Sequence, residues 1–204
     1  MHAFTIDLEE WFCTHNFQGV IKYADWEGLE SRIERQMAYL LELLGRHGVK
    51  ATFFVLGWVA ARHPDLIRTL VREGHEIGSH GFSHQPTWQH SVPSFRADLA
   101  LSTSLLAELL GRPPTIFRAP AFSITKQTSW AIEVLQGAGY TTDSSVYPTG
   151  AHPEYGIGDA PLAPYDWPGG LREQPLSCAT YFGKRLPISG GAYFRLLPYP
   201  STTT

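Results

Sequence analysis

Residues 50–80 read KATFFVLGWVAARHPDLIRTLVREGHEIGSH and predict a strand, a helix and a second strand in succession. Residues 50–57 are rich in β-branched and aromatic side chains, which is typical of a buried strand. A helix begins near Pro64, places its apolar side chains on one face and ends at Gly74. Residues 75–80 form the second strand. Two strands joined through a helix lie parallel in a sheet, so this stretch predicts an α/β fold.

The same alternation of strands and helices runs along most of the chain. The other predicted elements are strands at 2–8, 115–120 and 140–146 and helices at 26–48, 93–110 and 125–135, the last capped by Thr125. Residues 147–170 are dense in Pro, Gly and Tyr and predict a long irregular loop. Its aromatic rings either line a sugar cleft or pack the loop onto the sheet. We treat residues 1–204 as a single domain.

Composition excludes several classes of protein. Of the 204 residues, 43% are hydrophobic and 17% are charged, as expected of a globular protein. The net charge is −3 and Lys and Arg do not cluster, so we expect no nucleic-acid partner. No apolar stretch reaches the length of a membrane span and no signal peptide is visible, so we expect a protein that does not span a membrane and is cytoplasmic. The two cysteines, Cys13 and Cys178, predict no disulfide framework.

Two histidines follow the predicted strand at 75–80, within the segment GSHGFSH at 78–84. His80 and His84 are four residues apart, a spacing that would put both rings on one side of a helical turn. Neutral imidazole is a good ligand for zinc and similar divalent ions. A pair of histidines alone is a weak indication, so a metal site here requires a third ligand.

The acidic run DLEE at residues 7–10 can provide that ligand. In an extended strand Asp7 and Glu9 point to the same face. One carboxylate can bind the metal while its neighbour stays free as a general base. Glu10 is the alternative ligand, and a solvated acidic turn is the alternative role for the whole run.

Arg118 and Asp143 come at the ends of two further predicted strands. Because the carboxyl ends of parallel strands meet at one edge of a sheet, both should lie beside Asp7 and the two histidines. A guanidinium there can hold a carboxylate in one orientation through paired hydrogen bonds. Asp143 can tune Arg118 or a nearby histidine. An ordinary salt bridge for Arg118 and a polar strand cap for Asp143 are the alternatives.

Four motifs occur in order along the chain: TIDLEE at 5–10, HGFSH at 80–84, RAPAFS at 118–123 and DSSVYP at 143–148. This order resembles the polysaccharide deacetylases, also called NodB-homology or carbohydrate esterase family 4 domains. Residues 51–58 and 75–84 look especially like the branch encoded in bacterial exopolysaccharide loci. The resemblance runs from about Phe4 to Tyr199 and implies a distorted (β/α) barrel with fewer than eight strands.

The resemblance also implies a metal site and a general base. It implies a divalent metal, usually zinc, held by one carboxylate and by His80 and His84. Asp7 matches the catalytic base. The family's commonest first motif has two adjacent aspartates, but here Leu8 follows Asp7, so the carboxylate ligand has to shift. Strand geometry favours Glu9, with Glu10 as the alternative.

Further residues match the family's later motifs. Arg118 matches the arginine that orients the base, and Asp143 matches the aspartate of the fourth motif. Pro120 matches a residue that shapes the pocket for the acetyl group. The backbone N–H of Ala121 is expected to stabilise the oxyanion.

The family's fifth motif, which supplies a histidine as general acid, has no match in this sequence. Residues 188–200 resemble the segment that normally precedes a further helix and strand, so we expect the C-terminal part of the domain to be truncated. His90 and His152 could substitute as the acid, although both are predicted at the surface. An incomplete barrel would expose strand edges, which favours association into homo-oligomers.

Three functions are compatible with these features. The leading one is a metal-dependent hydrolase that removes N-acetyl groups from N-acetylhexosamine units of a polysaccharide or its lipid-linked precursor. The second is hydrolysis of a small cyclic or linear amide, which would suit a closed pocket rather than an open groove. The third is a glycan-binding relic, which the missing fifth motif favours and the retained Asp7 and Arg118 disfavour.

Overall fold

The computed structural model describes residues 3–150 and 152–191, and its centre is a mostly parallel sheet. The strands of this sheet are β1 Thr5–Leu8, β2 Thr52–Val55, β3 Glu76–Ser79, β4 Ile116–Phe117, β5 Thr142–Asp143, β6 Tyr165–Asp166 and β7 Arg172–Glu173. They lie in the order β1-β2-β3-β4-β5-β7-β6, and β6 is antiparallel to β7. A separate antiparallel hairpin consists of β8 Cys178–Tyr181 and β9 Lys184–Pro187. The predicted α/β class with fewer than eight strands in the barrel-type sheet is confirmed.

Helices connect the parallel strands. Within the described residues they are α1 Ile33–Arg46, α2 Gly57–Arg62, α3 Pro64–Arg72, α4 Val92–Leu110 and α5 Trp130–Gly137. Each of the first four connections between neighbouring strands contains at least one of these helices, as a parallel sheet requires. None of the described helices combines the length and apolarity needed to cross a bilayer.

Two apolar clusters hold the helices against the sheet. The first joins β1–β3 to α1, α2 and α3, with Phe53 and Val55 fully buried in it, and Phe54 between them is buried as well. The second joins β4 to α5 and to one face of α4, with Phe95, Phe117 and Leu135 buried in it. Strands buried on both faces read as continuous apolar runs, which is why β2 was recognisable in the sequence.

Several predicted boundaries are wrong, and contacts distant in sequence explain two of them. The predicted helix at 26–48 begins only at Ile33, because Trp26 packs between Phe12 and Trp58 and residues 23–28 form a separate 3-10 turn. Helix α2 was not predicted at all. It begins directly after β2, where the N–H groups of residues 57 and 58 donate to the carbonyl groups of Gly81 and Phe82.

The C-terminal part of the sheet also differs from the prediction. Thr125 is not the cap of α5: its N–H donates to Oγ1 of Thr128 at 2.8 Å, and the helix begins at Trp130 after Ser129. The region predicted as an irregular loop at 147–170 contains β6. Residues 192–204, the region of the missing fifth motif, lie outside the described residues.

Candidate metal centre

Three side chains suited to a metal come together at the carboxyl edge of the sheet. Glu9 directly follows β1, His80 directly follows β3, and His84 lies four residues further on. One ligand atom from each of the three lies within 4.8 Å of the other two. Both histidines are buried and Glu9 is partly buried. The structure therefore brings together the carboxylate and the two imidazoles that the sequence predicted.

The residues present fit a divalent metal. Oε2 of Glu9 is buried and makes no hydrogen bond of ordinary geometry within the described part of the chain, although it lies 2.6 Å from Nε2 of His84. A buried carboxylate oxygen in this state is costly unless a cation compensates it. One carboxylate and two imidazoles are also a known donor set of catalytic zinc sites, in which the fourth position is left for water.

The His80 ring is held in the orientation that a ligand needs. Its Nδ1–H donates to the carbonyl oxygen of Arg118 at 2.8 Å, which leaves Nε2 without a proton and available to a metal. Burial, opposed by the Asp7 carboxylate, leaves the pKa of His80 below its usual value, so its ring is neutral at neutral pH. Burial would also lower the pKa of His84, but the adjacent Glu9 carboxylate outweighs it and the pKa of His84 is raised.

The segment HGFSH is a loop, so the predicted helical turn is wrong. Gly81 and His84 both have positive φ, +71° and +54°, which no α-helix allows. The carboxylate of Asp98 on α4 fixes the loop, because it accepts from the N–H groups of Phe82 and Ser83 at 2.7 and 3.1 Å and from Oγ of Ser83 at 2.6 Å. The sequence offered one signal for Asp98, a carboxylate within a largely apolar helix.

Glu10, the alternative ligand, has a structural role. It is buried and accepts hydrogen bonds from the hydroxyl of Ser31 and, at 3.1 Å, from the N–H of Arg32. These contacts secure the chain just before α1. Leu8, between Asp7 and Glu9, packs in the apolar core. The alternation along β1 therefore places Glu9, and not Glu10, with the histidines.

The candidate base, Asp7, is hydrogen-bonded to Arg118, as predicted. Nη1 of Arg118 donates to Oδ1 of Asp7 at 2.8 Å. The guanidinium is fixed on its other side by Ser144, whose carbonyl oxygen accepts from Nε at 2.9 Å and whose Oγ accepts from Nη2 at 2.8 Å. Cζ of Arg118 also lies 4.0 Å from the centre of the Phe54 ring, a cation–π contact.

The same contacts set the charge of Asp7. Burial alone would raise the pKa of its carboxyl, but the positive charge of Arg118 and the hydrogen bond that it donates oppose burial, and the pKa is lowered. Asp7 is therefore ionised at neutral pH and able to accept a proton.

Asp143 makes no side-chain hydrogen bond to Arg118 among the described contacts, and its suggested tuning of the arginine, which their charge interaction supports, stays a prediction. Its Oδ1 accepts from Oγ of Ser145 at 2.5 Å, and the residue is fully buried beside Glu173 on β7. The side chain that touches Arg118 is Ser144, which sequence reasoning missed although it lies inside the DSSVYP motif. Asp143 therefore acts on the site only through its neighbours and its charge.

The segment after Arg118 adopts an uncommon conformation. Pro120 is buried at the start of a 3-10 turn, and Ala121 and Phe122 have positive φ, +54° and +51°. Such conformations are rare for residues other than glycine and cluster at functional sites. The roles of Pro120 at the acetyl group and of the Ala121 N–H at the oxyanion stay predictions.

The two histidines considered as substitute acids are held by other contacts. Nδ1 of His90 pairs with Oγ of Ser94 at the beginning of α4. His152 stacks on Tyr155 with 3.6 Å between ring centres. Both arrangements are compatible with structural roles.

Comparison with known families agrees with the order of the motifs. The family model described as polysaccharide deacetylase matches residues 30–143, more than half of the chain. The chain belongs to the polysaccharide deacetylase family. A second model, described as a domain of unknown function, DUF3473, matches residues 144–204. The boundary between the two regions falls inside the central sheet, directly after β5. The single-domain interpretation and the exopolysaccharide branch both stay predictions.

Individual relatives of the chain support its assignment to this family. The chain is 35% identical over 95 residues to a peptidoglycan-N-acetylglucosamine deacetylase of Bacillus cereus, covering 46% of this chain and 34% of the relative. It is 35% identical over 104 residues to a chitin deacetylase of a Pestalotiopsis species, covering 50% and 34%. The matched region thus spans about a third of these curated relatives.

A solved structure shares the fold over a larger part of the chain. A Mycobacterium smegmatis protein assigned to the polysaccharide deacetylases superposes with a TM-score of 0.64 and 28% identity, covering 86% of this chain and 58% of that one. This likeness extends well beyond the part of the sequence that the first family model matches.

Proposed function

We propose that this member of the family is a metal-dependent hydrolase that removes acetyl groups from N-acetylhexosamine units of a polysaccharide or its precursor. One observation carries the proposal: the cluster of Glu9, His80 and His84 lies at the same sheet edge as an ionised Asp7 that Arg118 holds in place. A glycan-binding relic would have no use for a base that is oriented in this way.

The chain's own residues divide the chemistry between them. A divalent ion, most suitably zinc, held by Glu9, His80 and His84 would polarise the acetamide carbonyl and lower the pKa of a water molecule. Asp7 accepts a proton from the attacking water, and Arg118 keeps the accepting oxygen in one orientation. The water oxygen bonds to the carbonyl carbon, the C–N bond breaks, the amine gains a proton, and acetate and a free amino sugar are released.

The substrate class follows from the relatives. One is named for peptidoglycan N-acetylglucosamine and another for chitin, and both names describe the removal of acetyl groups from a polysaccharide. We therefore propose an N-acetylated glycan as the substrate of this chain. A cytoplasmic location and self-association also stay proposals.

Metal analysis together with acetate release tests the function. The purified chain, dialysed against zinc, is expected to retain one equivalent and to release acetate from N-acetylglucosamine oligomers. His80→Ala and Glu9→Ala should lose both properties, because each removes one ligand. The control is His47→Ala, since His47 is exposed at the end of α1 and should change neither property.

Two outcomes would contradict the proposal. Retention of a stoichiometric metal by His80→Ala would show that the ligands are assigned wrongly. Binding of the oligomers by the metal-loaded chain without any release of acetate would favour the glycan-binding relic.

A further inference from the structure

A second pair of carboxyl groups lies behind the site. Asp143, the last residue of β5, and Glu173, the last residue of β7, are register partners on adjacent parallel strands. Side chains at such positions point to the same face of the sheet and lie next to each other. Both residues have no exposed surface at all. Nothing in the proposed chemistry uses Glu173.

The pair is anchored to the segment that holds the arginine. Glu173 accepts from the N–H of Val146 at 3.0 Å, and Asp143 accepts from Oγ of Ser145 at 2.5 Å. The hydroxyl of Ser145 in turn accepts from the N–H of Ala119 at 2.8 Å. Residues 144–146 are therefore tied to the carboxyl pair on one side and to residues 118 and 119 on the other.

Two carboxyl groups buried side by side hold a proton between them. Oδ2 of Asp143 has no donor when both groups are ionised, and two adjacent negative charges in a buried site repel each other. Burial raises the pKa of Glu173 well above its usual value, and Asp143 raises it further. Burial also raises the pKa of Asp143 to about 6, although hydrogen bonds from Glu173 and Ser145 oppose that rise.

The surroundings of the pair decide which group carries the proton. The titratable and charged groups that act on it from neighbouring strands are Arg118, after β4, and Tyr165 on β6. The arginine stabilises the negative charge on Asp143. Glu173 receives a further hydrogen bond at 3.2 Å from the indole N–H of Trp167, which fixes its orientation. At neutral pH this arrangement puts one proton on Glu173, facing an ionised Asp143.

We propose that Glu173 is a positioning residue of the site: it shares one proton with Asp143, and the pair fixes residues 144–146, which hold the Arg118 guanidinium against Asp7. The catalytic part of this inference rests on the proposed deacetylase function. The shared proton and the fixed guanidinium do not, and they can be measured separately.

Amide substitutions test the proton, because an amide N–H can take the place of the shared O–H. Asp143→Asn keeps an acceptor for Ser145, donates to an ionised Glu173 and leaves the pair with the same single charge. Its kcat should therefore fall by less than that of Glu173→Ala. Glu173→Ala removes the acceptor for Val146 and the partner of Asp143. Its kcat should fall about 100-fold with little change in KM, the scale expected when a catalytic group is displaced by about an ångström.

Two further variants complete the set. Glu173→Gln should recover most of the activity lost in Glu173→Ala, and it keeps the test decisive if the alanine variant does not fold. Glu133→Ala is the matched control, because Glu133 is an exposed glutamate on α5 and should leave kcat and KM unchanged.

Two spectroscopic measurements do not depend on turnover. The infrared spectrum of the unsubstituted chain at neutral pH should contain the band of a protonated carboxyl group. This band should be absent from the spectrum of Glu173→Gln. The Nε–H signal of Arg118 should exchange slowly with water, because it donates to the carbonyl of Ser144. Exchange should become at least tenfold faster in Glu173→Ala, but not in Glu173→Gln, whose amide keeps the contacts of the pair, nor in Glu133→Ala.

The outcomes separate this inference from the proposed function. If the chain does not release acetate but shows the carboxyl band and the change in Arg118 exchange, the deacetylase proposal fails and the positioning role stands. Absence of the protonated band overturns the shared proton. A folded Glu173→Ala with unchanged kcat and unchanged Arg118 exchange overturns the positioning role. A loss of activity in Asp143→Asn as large as that in Asp7→Asn would instead make Asp143 itself catalytic.

Discussion

The N-terminal half of the sheet, β1–β3, and the C-terminal half, β4–β7, are held together in different ways. In the first half each strand has four residues, pairing is continuous and the strands are packed in an apolar cluster. In the second half the strands have two residues each, and buried polar side chains tie their ends together. Both halves are thus packed by apolar side chains, and the second half adds buried hydrogen bonds between the ends of its strands.

The two halves of the sheet also contribute differently to the site: one carries the candidate metal ligands, and the other orients the candidate base. The candidate metal ligands extend from the ends of the rigid apolar strands, where their backbone positions are secure. The candidate base, Asp7, also lies on β1, but its orientation comes from Arg118 and Ser144 in the polar half. We expect substitutions in the polar half to change the rate while the metal stays bound.

The largest expected effect comes from Asp7→Asn, which removes the base but keeps its shape. The loss of kcat should be about 10³-fold, within the range for general bases. Zinc stoichiometry should not change, because Asp7 is not in the ligand cluster. The rate of acetate release gives kcat, and metal analysis of the same sample gives the zinc stoichiometry. Loss of the metal together with the loss of kcat would show that Asp7 is a ligand. The metal ligands and the candidate base would then no longer be separate groups of residues.

A smaller loss, about 100-fold in kcat, is expected for Arg118→Lys. An ammonium cannot make the three separate contacts of the guanidinium with Asp7 and Ser144, so the base loses its fixed orientation. The metal should stay bound, since His80 contacts the backbone carbonyl of residue 118, which the substitution leaves in place. The matched control is Arg112→Lys at an exposed position, and an equal loss there would invalidate the explanation.

In the apolar half, Asp98→Asn should weaken metal binding about tenfold, the lower end of the effect of residues that orient ligands. The amide cannot accept all three hydrogen bonds that fix the loop between His80 and His84. Competition with a chelator measures the affinity, and Glu108→Gln, an exposed position on the same helix, is the control. Unchanged affinity would mean that the loop keeps its shape without Asp98.

The smallest expected effect is a dependence of stability on pH that arises in the polar half. Folding raises the pKa of Asp143 from 3.8 to about 6, so the folded chain binds more protons than the unfolded chain in this window. The pair's contribution to the free energy of unfolding should therefore fall as pH rises from about 4 to 6, by at most about 1.4 kcal/mol per pH unit for one proton. The raised pKa of Glu173 extends the fall to higher pH.

Urea unfolding at several pH values measures this slope. Asp7 has a lowered pKa and contributes in the opposite direction, because its contribution is lost as pH falls. The difference between the unsubstituted chain and the double variant Asp143→Asn, Glu173→Gln isolates the pair. If the free energy of unfolding depended on pH in the same way in both proteins, the raised pKa of the pair in the folded state would be contradicted.

The sequence predicted the elements whose signals are local. The runs that became β1, β2 and β3 are apolar and bounded by polar residues, and α3 and α4 each begin near a proline. Helix α2 was missed because its first residue depends on contact with Phe82, which only folding brings near. The strands β6 and β7 were missed because the sequence around them, unlike that around β4 and β5, is rich in Pro and Gly and has no β-branched residues.

The same distinction applies to the site. Asp7, His80 and Arg118 lie at the ends of recognisable strands, so their convergence could be inferred from parallel topology. No local sequence pattern predicts the contacts made by Asp98, Ser144 and Glu173. Glu173 in particular is thirty residues from Asp143, and their adjacency depends on β7 pairing with β5 rather than with β6 alone.

Arg118 serves two partners from one residue. Its backbone carbonyl orients His80, while its side chain grips Asp7. One residue therefore couples the orientation of the candidate base to the orientation of one candidate ligand. A displacement of the backbone at residue 118 would disturb the imidazole and the carboxylate together, whereas exchanging either of those two side chains alone would leave the other in place.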